Sequence, residues 1–295
     1  MKENQASITA FTVLQGMLYI GKATPHSYLV DGEIVKIGNQ ILADSDEGKK
    51  RLKQLNSPLT KLSVNVREYL LLPGITLHYI LRKRYIEDQT RKAIADGATQ
   101  IVNLGAGFDT LCWRLSKEHP EVNFIEIDHP DTHKLKTRAL AAASADLTNM
   151  HFLAVDFNHQ DLNTALGEFI KFDQSRQTLY ICEGVMMYLT EEEIGYMFAT
   201  IKNLTGSGSQ LLFTALEPQG SPRNNTRKLL YLFLSLISEP LKWELDSDNI
   251  PVFLAQYSCH MTAKAGTNVL KESYLKPEIP ATLHYGEYLV MAKFD

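Results

Sequence analysis

The chain of 295 residues is long enough for one large domain or two ordinary ones. Hydrophobic residues make up 44% of it and charged residues 22%, which are ordinary values for a globular protein with a sizeable core. A net charge of −4 without a run of lysine and arginine argues against a nucleic-acid-binding surface.

The pattern of residues 1–90 predicts helices that form an extension or cap on a main domain at residues 91–295. Within it, residues 7–20 loosely resemble a signal peptide, but polar residues interrupt the stretch and it is too short to span a bilayer. We therefore expect no membrane partner. Three scattered cysteines without CxxC or Cys/His ligand spacing predict a reduced, cytoplasmic setting with no metal site.

Beyond residue 90, short apolar runs of strand length alternate with longer segments of helical period. Between the first two runs, Phe108, Leu111, Cys112 and Leu115 recur at the spacing of one buried helical face. Such repeated units predict an α/β fold, with a mostly parallel sheet and helices on both faces. The predicted strands are Gln100–Leu104, Asn123–Asp128, His151–Asp156, Thr178–Cys182 and Gln210–Ala215.

Two segments near the C-terminus depart from this alternation. Residues 219–262 begin with the breaker sequence PQGSPRNN and continue as TRKLLYLFLSLI, which predicts a lid insertion. By periodicity alone, an ordinary core helix fits the apolar part equally well. Residues 281–294 predict two strands around a turn near Gly286, and this hairpin would add an antiparallel strand to the sheet.

Parallel sheets bind ligands at the carboxyl ends of their strands, so the residues that follow each strand are informative. Gly105-Ala106-Gly107 follows the first strand, and glycines there permit a tight turn whose N–H groups can reach a ligand. Asp128 ends the second strand, 21 residues beyond Gly107. An acid at this distance can accept hydrogen bonds from ribose hydroxyls.

The next two strands end in similar groups. Asp156 and Phe157 follow the third strand, where the acid is suited to an adenine amino group and the ring to covering the base. Glu183 follows the fourth strand, and a carboxylate directly beyond a buried strand needs a partner. Taken singly, Asp128 and Asp156 could each cap a loop or helix, and Phe157 could belong to the core.

The sequence argues against a dinucleotide as the ligand of these strand ends. The third glycine of G-x-G-x-x-G is replaced by Thr110, Asp109 places a negative charge close to a pyrophosphate, and no P-loop sequence follows. S-adenosylmethionine fits better, because it carries no phosphate. Glu183 could meet its positive end, and an arginine would suit its carboxylate.

Four segments carry a family resemblance: IVNLGAGFDTLCWRL, FIEIDHP, FLAVDF and ICEGVMMYL, in this order. They resemble the leucine carboxyl methyltransferase family, including its bacterial polyketide-type O-methyltransferases. The resemblance covers roughly residues 75–216, with weaker echoes near the N-terminus. It implies a Rossmann-like class I methyltransferase fold with a helical cap and S-adenosylmethionine as the cofactor.

The resemblance also implies site residues. The carboxylate-binding arginine of the family falls in the segment LRKRYIED, where Arg82 matches best and Arg84 competes with it. The other implied cofactor residues are Gly105, Ala106 and Gly107 beside the methionine, Asp128 at the ribose, Asp156 and Phe157 at the adenine, and Glu183 at the methionine amine or the sugar.

The predicted function is O-methylation of a carboxylate or hydroxyl of a small molecule or peptide terminus. An ionised carboxylate needs no general base, whereas a hydroxyl would, and His129, His133 and Tyr188 are weak candidates for one. We assign no catalytic base. Met187 and Tyr188 could line the acceptor pocket or pack in the core. The alternatives are an NAD-dependent oxidoreductase on a Rossmann fold and a non-catalytic binding protein.

Overall fold

Helices dominate the chain before the first strand. The computed structural model describes residues 6–142, 148–157, 159–206, 208–236 and 240–295. In this part of the chain, the helices that precede the sheet are α1 (Ile8–Ala23), α2 (Gly32–Ala43), α3 (Asp46–Leu55), α4 (Thr60–Leu70) and α5 (Ile75–Ala95). The prediction of a helical N-terminal region is therefore confirmed, with α5 running five residues past position 90.

Strands and helices then alternate. The strands are β1 (Gln100–Leu104), β2 (Asn123–Asp128), β3 (Met150–Ala154), β4 (Thr178–Cys182), β5 (Gln210–Leu216), β6 (Cys259–Ala265) and β7 (Glu287–Phe294). The helices among them are α6 (Leu111–Glu118), α7 (Pro130–Ala142), α8 (Leu162–Gly167), α9 (Glu191–Asn203), α10 (Lys228–Leu236), α11 (Ile250–Ala255) and α12 (Thr267–Tyr274). Five strands match the predicted runs to within two residues at either end.

The strands form one sheet in the order β3-β2-β1-β4-β5-β7-β6. The first five are parallel, and β7 is antiparallel to both of its neighbours. The prediction of a mostly parallel sheet with an antiparallel C-terminal addition is confirmed. The strand order reverses between β1 and β4, which makes their carboxyl ends the place where such folds open a ligand crevice.

The C-terminal antiparallel pair has a different partner from the one expected. Residues 281–286 form no strand, contrary to the predicted hairpin, and β7 pairs instead with β6, whose first four residues lie within the predicted lid segment. Groups in 281–286 are bound elsewhere: the Leu283 carbonyl accepts from Asn225 Nδ2 and the His284 carbonyl from Thr267 Oγ1. Because β5 and β6 occupy both edges of β7, a hairpin partner has no edge to join.

Two hydrophobic clusters cover the two faces of the sheet, because alternate strand residues point to opposite sides. On one face, Ile101 and Ile181 pack with residues of α1, α2, α5 and α6. On the other, Val102 and Tyr180 pack with residues of α9 and α11. The N-terminal helices thus share a core with the sheet, and this packing fixes α5 beside the ends of β1 and β4.

Local signals explain individual helix ends. Thr190 precedes α9, its side chain accepts from the Glu193 N–H, and the Glu193 carboxylate accepts from the Thr190 N–H. This reciprocal pair is a capping box, which satisfies two backbone donors that the helix itself leaves unpaired. Among the described residues, no helix has the length and apolar character needed to cross a membrane.

Candidate functional site

The carboxyl ends of β1, β2, β3 and β4 lie side by side. Leu104 of β1 pairs with Ile127 of β2 and Cys182 of β4, and Asp128 pairs with Ala154 of β3. The residues that follow each strand therefore meet at one edge of the sheet, as the sequence predicted. We call this edge the strand-end site.

The glycine loop after β1 has a backbone that glycine permits. Gly105 has φ of +67° and Gly107 has φ of +53°, in the left-handed region. A Cβ on Gly105 would lie 2.6 Å from Cγ2 of Val185, so a side chain there would be both strained and crowded. The N–H groups of Gly105 and Ala106 donate to the Ile127 carbonyl, at 2.8 and 3.2 Å. The loop thus gives shape to the site, while these two N–H groups are used within the protein rather than offered to a ligand.

Asp128 joins the glycine loop to β2. Its Oδ2 accepts from the Gly107 N–H at 2.5 Å and its Oδ1 from the His129 N–H at 2.7 Å. Burial raises the pKa of Asp128, and these two backbone bonds act in the opposite direction. Because each carboxylate oxygen has a second lone pair, Asp128 can still accept hydrogen bonds from hydroxyls of a ligand.

Asp156 and Phe157 lie at the end of β3, next to His129. Asp156 Oδ2 is 2.9 Å from His159 Nδ1 and 3.9 Å from His129 Nε2. The Phe157 side chain is 54% exposed, which rules out the alternative that it belongs to the core. An aromatic ring that lies open beside a carboxylate is suited to stacking on a planar base.

Glu183, at the end of β4, is bound by two cations from α5. Arg82 Nε donates to Oε1 at 2.7 Å, and Lys83 Nζ donates to Oε2 at 3.0 Å. The sequence predicted that this carboxylate needs a partner, and the structure supplies two. Both oxygens are therefore engaged in charge-assisted hydrogen bonds, which are stronger than neutral ones.

Arg82 is held from its other side by Glu287, the first residue of β7. Arg82 Nη1 donates to both oxygens of Glu287, at 2.7 and 2.8 Å, and His78 Nε2 lies 2.8 Å from Oε2. All three side chains are buried. Burial opposes ionisation of Glu287, but the charge of Arg82 and the bond from His78 outweigh it and hold the pKa of Glu287 well below its usual range.

Lys83 changes the electrostatic argument about Asp109. Its Nζ also donates to Asp109 Oδ2 at 2.8 Å. Burial opposes ionisation of Asp109, yet the Lys83 charge keeps its pKa well below the ordinary value. The Lys83 charge thus neutralises Asp109, so that the repulsion expected between Asp109 and a pyrophosphate is largely removed. The replacement of the third glycine by Thr110 still argues against a dinucleotide.

The structure separates the two candidate arginines. Arg82 points to Glu183 and Glu287, whereas Arg84 lies near Tyr274 of α12. Residues two apart on a helix face different directions, which agrees with the different partners of the two arginines. Arg82 is the one placed there.

The candidate acceptor residues follow β4 in a 3₁₀ turn, Met186–Tyr188. Met187 is buried, and its carbonyl accepts from the Lys242 N–H at 2.8 Å, while Tyr188 is half-buried. His133 packs its ring 5.4 Å from that of Phe152, and burial lowers its pKa. These placements leave pocket lining by Met187 and Tyr188 as a prediction.

Helix α1 covers the glycine loop. A Cβ on Gly107 would lie 3.4 Å from Cβ of Ala10, and the rings of Phe11 and Phe108 are 4.8 Å apart. At the start of the helix, the Ser7 N–H donates to Thr132 Oγ1 of α7. The N-terminal helices therefore form part of the wall of the strand-end site.

Sequence reasoning missed three members of the cluster around Arg82. Lys83 stands next to Arg82 in the same basic segment, so its spacing gave a usable signal. Glu287 and His78 gave none, because nothing local indicates that β7 inserts beside β5 or that α5 faces it.

Known proteins resemble this chain in sequence over its centre. It is 30% identical over 136 residues to the Bacillus subtilis protein named "Putative S-adenosyl-L-methionine-dependent methyltransferase YktD", covering 45% of this chain and 44% of that protein. A Mycolicibacterium smegmatis protein named as a methyltransferase of the same kind is 36% identical over 132 residues, covering 44% and 43%. The chain spans less than half the length of these curated relatives. Their names support the predicted cofactor.

Solved structures and a family model complete the comparison. A DUF574 family protein from Streptomyces avermitilis aligns with a TM-score of 0.59 at 10% identity, covering 99% of each chain. A protein from Thermobifida fusca described as a "putative methyltransferase" aligns with a TM-score of 0.56 at 14% identity, covering 88% of this chain and 94% of that one. These likenesses support the class I methyltransferase fold. The leucine carboxyl methyltransferase model matches residues 38–202, more than half of the chain, and this protein therefore belongs to the leucine carboxyl methyltransferase family.

Proposed function

We propose that this protein is an S-adenosylmethionine-dependent O-methyltransferase that acts on a carboxylate of a small molecule or peptide terminus. The family and the names of the curated relatives support the cofactor and the methyl transfer. The charges around Arg82 support a carboxylate acceptor. The family also favours this function over that of a nicotinamide-dependent oxidoreductase.

The residues of the strand-end site fit this cofactor in their donor chemistry. Asp128 offers acceptor lone pairs for the ribose hydroxyls, and Asp156 offers an acceptor for the adenine amino group beside the open Phe157 ring. Gly107 and Gly184 keep the backbone free of side chains on the two sides of the crevice. When bound, the cofactor supplies an electrophilic methyl group on a sulfonium.

Arg82 is proposed to bind the carboxylate of the cofactor through Nη2. Its Nε and Nη1 are already used by Glu183 and Glu287, whereas Nη2 lies 3.7 Å from the place of a Cβ on Gly184. The absence of a side chain at Gly184 leaves Nη2 accessible from the crevice. Glu287 then acts as a positioning residue, because it fixes the plane of the guanidinium.

The observation that supports a carboxylate acceptor is that the acids of this cluster are weak bases. Both oxygens of Glu183 are bound by cations, and the pKa values of Glu287 and Asp109 are held low by Arg82 and Lys83. A hydroxyl acceptor would need a proton acceptor at this place. A carboxylate is already ionised at pH 7 and needs none.

The protein then has to orient the acceptor and exclude water. Transfer from a sulfonium requires an acceptor oxygen in line with the breaking bond at near-attack distance. Helix α1 over the glycine loop and the turn at Met187 wall the crevice from two sides. Such enclosure limits competing hydrolysis.

The test has a binding step and a chemical step. Calorimetric titration with S-adenosylhomocysteine should show saturable binding, and NADH should show none. With cofactor labelled in its methyl group, a panel of carboxylic acids and their matching alcohols should give labelled product from the acids. Mild alkali then releases labelled methanol from an ester but not from an ether. Labelled ethers would replace the carboxylate by a hydroxyl acceptor, and binding of NADH alone would overturn the proposal.

A further inference from the structure

Lys83 lies between two walls of the strand-end site. Its Nζ donates to Asp109 Oδ2 at 2.8 Å and to Glu183 Oε2 at 3.0 Å. Asp109 lies between the glycine loop and α6, whereas Glu183 directly follows β4. One ammonium therefore connects the segments that follow β1 and β4, the two strands between which the strand order reverses. We call this contact the Lys83 bridge.

The Lys83 bridge holds two like charges close together. The bonded oxygens of Asp109 and Glu183 can be no more than about 6 Å apart, since both lie within hydrogen-bond distance of one nitrogen. No more than 14% of any of the three side chains is exposed. Two carboxylates this close in a largely buried site repel each other strongly, because little water screens them. Without the ammonium, the repulsion would push the glycine loop away from the end of β4.

The ammonium is charged, and its position is set from outside the two walls. Burial opposes the charged form of Lys83, but the charges of Asp109 and Glu183 outweigh it, so the pKa of Lys83 lies above its ordinary value. Leu81 and Ile86, close to Lys83 on α5, are buried in the core beside the sheet. Lys83 therefore extends from a firmly packed helix and can fix the segments that it bonds.

Asp109 connects the ammonium to the glycine loop. Its N–H donates to the Ala106 carbonyl at 3.0 Å, and its Oδ1 accepts from the Leu111 N–H at 3.0 Å, at the start of α6. Gly107, between Ala106 and Asp109, donates its N–H to Asp128. A displacement of Asp109 would therefore also displace the glycine loop.

Glu183 is oriented by two cations. Arg82 Nε donates to Oε1 and Lys83 Nζ to Oε2, so each carboxylate oxygen has one fixed partner. The terminal torsion of a glutamate is otherwise broad, and loss of one cation would leave the carboxylate free to turn. Lys83 thus helps to set the direction in which Glu183 presents its remaining lone pairs.

We propose that Lys83 is a positioning residue for the methionine end of S-adenosylmethionine, which fixes the spacing between the glycine loop and Glu183 and the direction of the Glu183 carboxylate. This rests on the proposed function, since it takes that cofactor as the ligand of the site. In that proposal the adenosine end belongs to Asp128, Asp156 and Phe157, at the ends of β2 and β3. Loss of Lys83 should therefore weaken ligands that carry the amino and carboxylate groups and spare ligands that lack them.

The test measures binding by calorimetry and needs no turnover. S-adenosylhomocysteine carries the amino and carboxylate groups, whereas methylthioadenosine has the same adenosine and sulfur without them. Lys83→Met should weaken S-adenosylhomocysteine about tenfold or more, within the range of couplings in one ion-pair network, and should change methylthioadenosine less than about twofold. Lys92→Met is the matched control and should change neither, because Lys92 lies on the same helix and its ion pair with Asp96 is exposed.

A second variant separates positioning from folding. Lys83→Met leaves Asp109 buried without this cation, which should lower the midpoint of thermal unfolding. In Lys83→Met/Asp109→Asn the repulsion is absent, and the amide Oδ1 can still accept from the Leu111 N–H. The double variant should regain most of the lost thermal stability. It should bind S-adenosylhomocysteine at least about threefold more tightly than Lys83→Met, yet more weakly than the native protein.

Four results would overturn the role of Lys83 and leave the methyltransferase proposal standing. They are native affinity of Lys83→Met for S-adenosylhomocysteine, equal losses for S-adenosylhomocysteine and methylthioadenosine, native affinity of the double variant, or a double variant that regains stability and binds no better than Lys83→Met. If Lys83→Met does not fold, the comparison of the double variant with the native protein decides. Failure of the native protein to bind S-adenosylhomocysteine would instead overturn the methyltransferase proposal, and the role of Lys83 with it.

Discussion

The two halves of the strand-end site are built differently. At the ends of β1, β2 and β3, the side chains are partly exposed, and each is held by one or two bonds to groups close in sequence or on the neighbouring strand. At the end of β4, Arg82, Lys83, Glu183 and Glu287 form a dense set of ion pairs drawn from α5, β4 and β7. We call these the open half and the paired half.

This difference separates recognition from positioning. Side chains of the open half can be truncated with little effect on the packing of their neighbours, because water can replace the hydrogen bonds that are lost. In the paired half, removing one charge leaves its partners buried and unpaired, which costs far more than the pair contributes. Mutations in the two halves should therefore affect folding and cofactor binding in different proportions.

The largest effect is expected from Arg82→Ala. The free energy of unfolding should fall by about 3–5 kcal/mol, because Glu183 and Glu287 each lose a charged partner in a buried site. Binding of S-adenosylhomocysteine should be lost. Urea denaturation measures the free energy of unfolding, and calorimetry measures the binding. In both quantities Arg82→Lys should fall between Arg82→Ala and the native protein. Arg84→Ala is the matched control and should change neither the free energy of unfolding nor the binding of S-adenosylhomocysteine appreciably. Equal losses of stability and binding in Arg82→Ala and Arg84→Ala would contradict the special role of Arg82 in the paired half.

Asp128→Ala should act mainly on binding. The loss of hydrogen bonds from a charged acceptor, about 1.5–3 kcal/mol, corresponds to about 10- to 100-fold weaker binding of S-adenosylhomocysteine. The free energy of unfolding should change less than in Arg82→Ala, since Asp128 is partly exposed. Asp131→Ala, three residues further along, is the control. Normal binding of S-adenosylhomocysteine by Asp128→Ala would show that Asp128 does not belong to the cofactor site.

Phe157→Ala tests the outer part of the open half. Base–aromatic stacking contributes about 1–3 kcal/mol, so binding should weaken about 5- to 150-fold. Stability should be unchanged, because the ring is exposed. Tyr196→Ala, an exposed aromatic of α9, serves as the control in the same titration. A loss of stability without a loss of binding would show that the ring packs rather than binds.

The smallest effect concerns His284, which lies behind the paired half with its ring 5.2 Å from that of His78. Burial, reinforced by His78, lowers the pKa of His284 to about 3. Below about pH 6.5 the unfolded chain takes up a proton that the folded protein refuses, so this residue makes stability fall as the pH decreases toward 3. Its contribution is fully present above pH 6.5.

His284→Gln should remove that dependence. Between pH 6.5 and pH 5.5 the free energy of unfolding should fall by about 1 kcal/mol less in the variant than in the native protein. Urea denaturation at a series of pH values measures it, with His159→Gln, at an exposed position, as the control. Identical slopes for the native protein and His284→Gln would mean that water reaches this part of the paired half.

The sequence predicted the open half well because its signals are local. Gly105, Asp128 and Asp156 each lie at the end of their own strand or within two residues of it, and parallel strands bring their carboxyl ends to one edge whatever the remaining order. Arg82 was found only through the family resemblance, and its choice over Arg84 needed the direction of α5. The terminal strand was predicted, but its partner β6 was not, because edge pairing depends on which strands already have neighbours.

The amino-acid sequence alone determined the alternation of strands and helices, the edge at which a nucleotide would bind, and the family. Periodicity, turn residues and motif order are properties of residues near one another in the chain, so they can be read from the sequence alone. The tertiary structure alone decided that Glu287 and His78 clamp Arg82, that Lys83 neutralises Asp109, and that α4 and α10 leave an apolar groove between them. These contacts join segments up to about two hundred residues apart, and electrostatic and apolar interactions at such separations depend on packing that no local pattern encodes.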